Sequence, residues 1–230
     1  MDTNARTVLK RTALVFGATG LTGGILAEEL ADNGAYDTIL IFTRRKLSFT
    51  HSSIREIEFD IDNLEALKEE IKGDDLFCCL GTTIKKAGSQ EAFRKVDLEA
   101  PAQIASIAAA NGVKQFLVMS SIGADAKSRN FYLRTKGQME EAVQKENFKA
   151  IAILRPSMIT GKRKEFRLSE EAGKMIFKPL EYLLIGKLRK YRSIAAKTIA
   201  RAMVNIALNP QNKTVFESSE IQKLASLKIN

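Results

Sequence analysis

Short apolar runs alternate with amphipathic stretches along most of the chain. Six runs, Thr12–Phe16, Thr38–Thr43, Ser53–Phe59, Leu76–Leu80, Gln115–Ser120 and Ala150–Leu154, are rich in Val, Ile, Leu and Phe and lack strict polar alternation. That is the pattern of strands buried on both faces of a parallel sheet. Between them, Thr22–Asn33, Asn63–Ile71, Gln90–Asn111 and Phe131–Asn147 carry the spacing of helices. Gly34 and Gly112, each just after an Asn, stand where helices should end. The beat of strand and helix predicts right-handed crossovers and an α/β fold, a doubly wound parallel sheet with helices on both faces.

After Leu154 the rhythm changes. Arg155-Pro156-Ser157 breaks the sixth strand, and a basic region follows. It holds an amphipathic stretch over Lys174–Lys187, with Met175, Ile176, Leu180, Leu183 and Leu184, and then a helix expected over Ser193–Leu208. No linker, repeat or low-complexity segment divides residues 1–230, so one domain is expected. Its 156–230 portion should border the substrate side. The amphipathic stretch suits a lid or a packed helix better than a membrane anchor.

Composition narrows the function classes. With 45% hydrophobic and 27% charged residues in 230, the chain is ordinary globular protein. No apolar run approaches the ~20 residues needed to cross a bilayer. Met1–Arg6 lead towards a strand and not into an apolar signal region, so a cytoplasmic location is expected. Cys78 and Cys79 are adjacent, a poor geometry for a disulfide, and with His51 as the single histidine no metal site is expected. His51 itself suits a surface loop. The net charge is +9, and the stretch from Gly161 to Arg192 alone carries ten Lys or Arg against four Glu. No row of aromatic side chains accompanies this charge, so specific nucleic-acid binding is not expected and an anionic small molecule is the better partner. A homo-oligomer or a protein partner is left open.

Candidate chemistry begins at the end of the first strand. Gly17-Ala18-Thr19-Gly20-Leu21-Thr22-Gly23 sets three glycines between a strand and an amphipathic helix. In a phosphate-binding turn one glycine allows the sharp turn, a second lets a diphosphate reach bare backbone, and a third lets helix pack close to sheet. The helix N-terminal amides then face the phosphates, and Thr19 and Thr22 can add hydroxyls. After the second strand the chain reads Thr43-Arg44-Arg45-Lys46, with no acid. An acid there would hold ribose hydroxyls, whereas arginine suits a 2′-phosphate, so NADP(H) is favoured over NAD. Asp60 and Ile61 would meet the adenine, and Leu80, Gly81 and Thr82 would pass the adenosine ribose.

Ser120-Ser121 closes the fifth strand, and Tyr132 and Lys136 lie four apart on the next helix, hence on one face. At these residues the chain resembles the short-chain dehydrogenase/reductase superfamily, with its Ser and Tyr-x-x-x-Lys signature. It is most similar to the atypical group typified by the HIV Tat-interactive-protein oxidoreductase. The matching stretches are Gly17-Ala18-Thr19-Gly20 with Thr22-Gly23, Arg44-Arg45-Lys46-Leu47 and Cys78-Cys79-Leu80-Gly81-Thr82-Thr83. Ser120-Ser121 with Gly123-Ala124-Asp125, Tyr132-Leu133 with Lys136-Gly137, and Arg155-Pro156 match as well. The resemblance implies a Rossmann fold in which NADPH is touched by Thr19, Gly20, Leu21, Thr22, Arg44, Arg45, Leu80, Gly81, Tyr132, Lys136, Ile159 and Arg167.

A carbonyl that accepts hydride needs a proton, and a tyrosine of unperturbed pKa about 10 is a poor partner at neutral pH. A nearby ammonium favours the phenolate. Tyr132 would then act as general acid or base, Lys136 would supply the cation and hold the nicotinamide ribose, and Ser121, favoured over Ser120, would hold the substrate oxygen. Two features depart from the superfamily pattern. Where its fourth helix often carries Asn, this chain reads Val96-Asp97-Leu98, and only ten residues separate Ser121 from Tyr132. The leading expectation is an NADPH-dependent oxidoreductase acting on a small carbonyl or alcohol. The alternatives are a regulatory NADPH-binding protein with little turnover and a nucleotide-sugar epimerase or dehydratase, for which the chain is short. Pocket residues should come from Thr82–Ser89, Ile122–Arg129 and the region after Arg155.

Overall fold

The computed structural model describes residues 11–161 and 186–227. In chain order the first elements are β1 (Thr12–Phe16), α1 (Leu21–Asn33), β2 (Thr38–Thr43), β3 (Ile54–Glu58) and β4 (Asp75–Cys78). A single turn α2 (Ile84–Ala87) precedes α3 (Gln90–Arg94), which runs through a π-helical turn (Lys95–Glu99) into α4 (Ala100–Ala110). Then come β5 (Gln115–Met119), α5 (Phe131–Val143), β6 (Ala150–Arg155), β7 (Ile159–Thr160), β8 (Ile194–Ala195), α6 (Ala196–Leu208), β9 (Val215–Glu217) and α7 (Ser218–Ala225). Seven strands form one sheet in the order β3-β2-β1-β4-β5-β6-β9, and every pairing in it is parallel. The strand order reverses at β1 and β4, which places a crevice beyond their C-terminal ends. The protein thus has the doubly wound Rossmann architecture that the alternation of runs predicts.

Both faces of the sheet are covered. Ala13 and Val15 of β1 join a core with Leu26 and Leu30 of α1, Ile199 and Met203 of α6 and Ile221 of α7. Leu14 and Phe16 point the other way, into a core with Ile104 and Ala108 of α4 and Met139 and Val143 of α5. This two-sided burial is why the strands show apolar runs without alternation. Phe16 stacks on Phe42 at 4.3 Å and meets Phe59 edge-on at 5.5 Å, pinning the ends of β1 and β2 where the site begins.

The structure corrects the expected boundaries in several places. Asn63–Ile71 is not a helix; it holds one 3-10 turn over Leu64–Leu67. Its apolar anchors Leu64, Leu67 and Ile71 are all buried, so the periodicity located the face while the backbone closes more tightly. Leu80 and Ser120 lie just past their strands, and α5 stops at Val143 instead of Asn147. The helix expected from Ser193 starts at Ala196, because Ile194 and Ala195 pair with β7. β9 and α7 were not expected at all. Gly34 and Gly112 do end helices, with φ of 72° and 77°. The amphipathic stretch over Lys174–Lys187 falls mostly outside the described residues.

The π turn has a cause in the sequence. Pro101 has no N–H to give to the carbonyl of Asp97, its i−4 partner, so the ladder must widen there. The turn carries Asp97 into the interior, where it is 1% exposed.

Where the strands begin, a polar cluster closes the sheet. Asp75 accepts from Tyr36 Oη at 2.6 Å, from Gln115 Nε2 at 2.7 Å and from the Arg11 guanidinium. Arg11 and Gln115 also donate to the Ala207 carbonyl at the end of α6, at 3.1 and 2.9 Å. Asp74 beside it accepts from the Thr12 amide at 2.9 Å and from Lys114 at 2.6 Å.

Candidate functional site

The crevice starts where β1 turns into α1. Gly17 has φ +87°, and a Cβ there would lie 2.6 Å from the Cys79 carbonyl carbon, so the chain passes only as glycine. A Cβ on Gly23 would come within 2.2 Å of the Gly17 oxygen, which fixes how closely α1 sits on the turn. Gly20 caps α1 in an extended conformation, with no side-chain bond to the first amides and no acid in the first turn. The first N–H groups of α1 thus have no side-chain cap, and the positive end of the helix dipole lies at this turn. Bare backbone and a glycine cradle suit a dinucleotide's diphosphate. Thr19 is exposed above the turn, Thr22 is buried beneath it, and Leu21 lies between. A Cβ on Gly161 would meet Leu21 at 3.1 Å, so the end of β7 lies against this turn and brings Ile159 nearby. Ile159 packs its side chain on the core of the α1 face. Arg167 lies outside the described residues.

At the end of β2, Arg44 and Arg45 are exposed, and neither forms an ion pair among the described residues. Buried Thr43 holds the turn: its hydroxyl donates to the Arg45 carbonyl at 2.6 Å and accepts from the Arg45 amide at 3.2 Å. A fixed backbone thus presents two free guanidinium groups. Asp60 already uses one carboxylate oxygen to accept from the Asp62 amide at 3.0 Å, the local turn role that Asp often fills. Ile61 and Leu80 pack against the core of the α4 face, Gly81 is exposed, and the Thr82 amide donates to Asp97 Oδ2 at 2.8 Å.

Helix α5 brings the catalytic candidates to the end of β5. Asn130 caps it by accepting from the Leu133 amide at 3.1 Å. Tyr132 and Lys136 follow one turn apart, and Glu140 stands one turn further on. The Tyr132 ring lies 5.6 Å from Phe93. Lys136 is 4% exposed; its Nζ forms a 2.8 Å ion pair with Asp97 Oδ1 and donates to the Met119 carbonyl at 3.3 Å. Burial works against its charge, but the Asp97 carboxylate more than offsets this and holds the amine above the ordinary lysine range. Two of its three N–H bonds are thereby taken, and one remains for a ligand.

The two serines separate cleanly. Ser120 is buried and donates to Glu140, which also takes the Arg155 guanidinium through Nε at 2.9 Å. Among the described residues the Ser121 hydroxyl makes only a long contact, 3.4 Å, to the Ile122 carbonyl. Of the two hydroxyls it is the one without a strong partner among the described residues. The short connection to Tyr132 folds back onto α5: a Cβ on Gly137 would come 2.1 Å from the Ala126 nitrogen. Burial pushes the Cys78 thiol up to about 11 and raises Cys79 as well, so neither is a nucleophile at neutral pH. Among the described residues no cluster of His, Cys, Asp and Glu could hold a metal ion, and no helix is long and apolar enough to cross a membrane.

Two carboxylates that hold the candidate residues, Asp97 and Glu140, were not among the expected site residues. Asp97 showed in the sequence only as an acid where the superfamily often carries Asn. Glu140 was legible as the third member of a spacing of four with Tyr132 and Lys136.

Comparison with known proteins bears on this geometry. Residues 17–210 match the model of a family described as NAD(P)H-binding. The chain is 31% identical over 204 residues to Protein HTATIP2 of Rattus norvegicus, covering 87% of this chain and 82% of that protein. It is 29% identical over 203 residues to the protein named FMP52, mitochondrial, of Debaryomyces hansenii, covering 86% and 88%. Among solved structures, MoeE5 in complex with UDP-glucose and NAD superposes with a TM-score of 0.67 at 16% identity, over 94% of this chain and 81% of that one. At that identity the likeness shows the fold alone.

Proposed function

The chain belongs to the NAD(P)H-binding family, and from that premise we propose that it is an NADPH-dependent oxidoreductase of the short-chain dehydrogenase type, acting on a small carbonyl or alcohol. The observation that carries this reading is the position of Lys136 Nζ, 3.3 Å from the carbonyl that ends β5, one turn from Tyr132 on the same helix. Gly17, Thr19, Gly20, Leu21, Thr22 and Gly23 would hold the diphosphate. Arg44 and Arg45 would take the 2′-phosphate, since free guanidinium groups on a fixed turn suit a dianion and no acid stands there for ribose hydroxyls. Leu80, Gly81 and Thr82 would border the adenosine, with Asp60 and Ile61 beyond them.

When bound, the cofactor supplies the hydride. The remaining steps belong to the chain. Ser121 donates to the carbonyl oxygen and fixes its direction, and Tyr132 gives that oxygen its proton, so one hydride and one proton make the alcohol. Lys136 holds a ribose hydroxyl with its remaining N–H and keeps positive charge beside the phenol. Residues 156–230 would complete the substrate side of a single domain.

A second reading, a regulatory NADPH-binding protein, draws on the Asp97 carboxylate. By offsetting the ammonium, it weakens the pull that Lys136 exerts on the phenol. A panel of aldehydes and ketones with NADPH separates the two readings. Turnover that prefers NADPH to NADH supports the enzyme, whereas tight NADPH binding with no consumption across the panel supports the regulator.

A further inference from the structure

Asp97 does two things at once, and neither follows from the Tyr-x-x-x-Lys signature. Its Oδ1 meets Lys136 Nζ at 2.8 Å and its Oδ2 accepts from the Thr82 amide at 2.8 Å. The side chain is almost wholly enclosed, and it hangs from the π turn that Pro101 enforces. The first contact reaches α5, which carries Tyr132. The second reaches the loop after β4, which packs against Gly17 of the phosphate-binding turn. We propose that Asp97 is the positioning residue of this site, its two carboxylate oxygens clamping the Lys136 amine and the Thr82 main chain so that α5 and the loop after β4 keep one geometry.

The inference rests on the cofactor reading for its purpose, not for its chemistry. The groups facing Lys136 are Asp97 from the π turn, Tyr132 from its own helix, Cys78 from β4 and the Met119 carbonyl from β5. Glu140, one turn along, is committed to Ser120 and Arg155. Among the described residues only Asp97 offers a full negative charge at contact distance. An asparagine there leaves one oxygen for two donors and no compensating charge, so the buried amine should lose its proton far more readily. A bystander ion pair that served stability alone would leave the Thr82 loop indifferent to Lys136.

The test uses the whole chain without cofactor, labelled with 13C at lysine Cε. The Lys136 resonance is assigned by its disappearance in Lys136→Met. The midpoint of the Lys136 titration should fall by about two pH units or more from wild type to Asp97→Asn. A change of less than about half a unit overturns the clamp. Should Asp97→Asn fail to fold, amide exchange at Thr82 in Lys136→Met decides the matter. An acceleration of about tenfold supports the clamp, and unchanged protection overturns it. NADPH titration at pH 7 and pH 9 adds the link to function: Asp97→Asn should weaken about tenfold more than wild type over that interval. If wild type binds no NADPH at all, the cofactor reading fails, while the Lys136 titration and the Thr82 exchange still decide the clamp.

Discussion

At the end of the sheet where the strands begin, Asp75 is met by Tyr36, Gln115 and Arg11, and Asp74 by Lys114 and the Thr12 amide. At the end where they finish, the first amides of α1 carry no side-chain cap, and among the described residues Arg44, Arg45 and the Ser121 hydroxyl stand without a strong partner. The cluster at the first end is mutually satisfied. At the second, the satisfied pairs of Asp97 with Lys136 and Glu140 with Arg155 stand beside groups left without strong partners among the described residues. These last groups are not loose: the Thr43 hydroxyl fixes the Arg45 backbone, and Gly17 and Gly23 fix the turn. Held in place yet unsatisfied is the condition for receiving a ligand, whereas mutual satisfaction is the condition for stability.

Substitutions at the two ends should therefore separate activity from stability. The largest effect is expected at Tyr132→Phe, which should lower carbonyl turnover about 10²- to 10⁴-fold in steady-state assays while NADPH affinity and melting temperature hold. Unchanged turnover would remove the catalytic role and leave a binding site. At the opposite end, Asp75→Ala leaves the buried Tyr36 hydroxyl without its acceptor and the Arg11 guanidinium without its carboxylate. It should cost about 3 kcal/mol in urea unfolding with no change in NADPH affinity. A weaker cofactor affinity there would break the division between the two ends.

Replacing both Arg44 and Arg45 by Ser removes two charge-assisted contacts, so NADPH affinity should drop about 100-fold, with NADH and melting temperature little affected. Equal losses for both cofactors would show that the arginines do not read the 2′-phosphate. The smallest effect is expected at Asp74→Asn. Burial pulls the Asp74 carboxyl up, but the Lys114 ammonium and the Thr12 amide bring it below the ordinary carboxylate range. A lowered folded value means that its contribution is present above the unfolded value and lost as pH falls through the folded one. With Lys114 half exposed, the variant should be only about 0.5 kcal/mol less stable at pH 7. That gap should close in unfolding curves taken below about pH 4.

Much of this division was open to reading along the chain. Strands covered on both faces announce themselves as unbroken apolar runs, and the glycine turn, Arg44, Arg45, Tyr132 and Lys136 are local patterns whose spacing carries their geometry. What escaped depends on distant partners. Val215–Glu217 is three residues long and becomes a strand only because β6 has a free edge. The π turn leaves no mark on a 3.6-residue periodicity, and Asp97 in sequence shows only a departure from Asn. Its two partners are Thr82 and Lys136, which the fold brings together from different elements. Ser120 and Ser121 could not be ranked by register alone; the Glu140 carboxylate that engages Ser120 settles which hydroxyl is occupied.

The seventh strand also bears on how the chain comes off the ribosome. β6 has its β5 neighbour as soon as it is made, but its other side stays unzipped until Val215–Glu217 arrive, after all of residues 156–214 have been synthesised. During that interval a growing polypeptide displays a naked ladder of peptide groups, the template on which stray strands from other molecules dock. Brief sequestration by a chaperone, or rapid synthesis through this stretch, would shorten the period of risk.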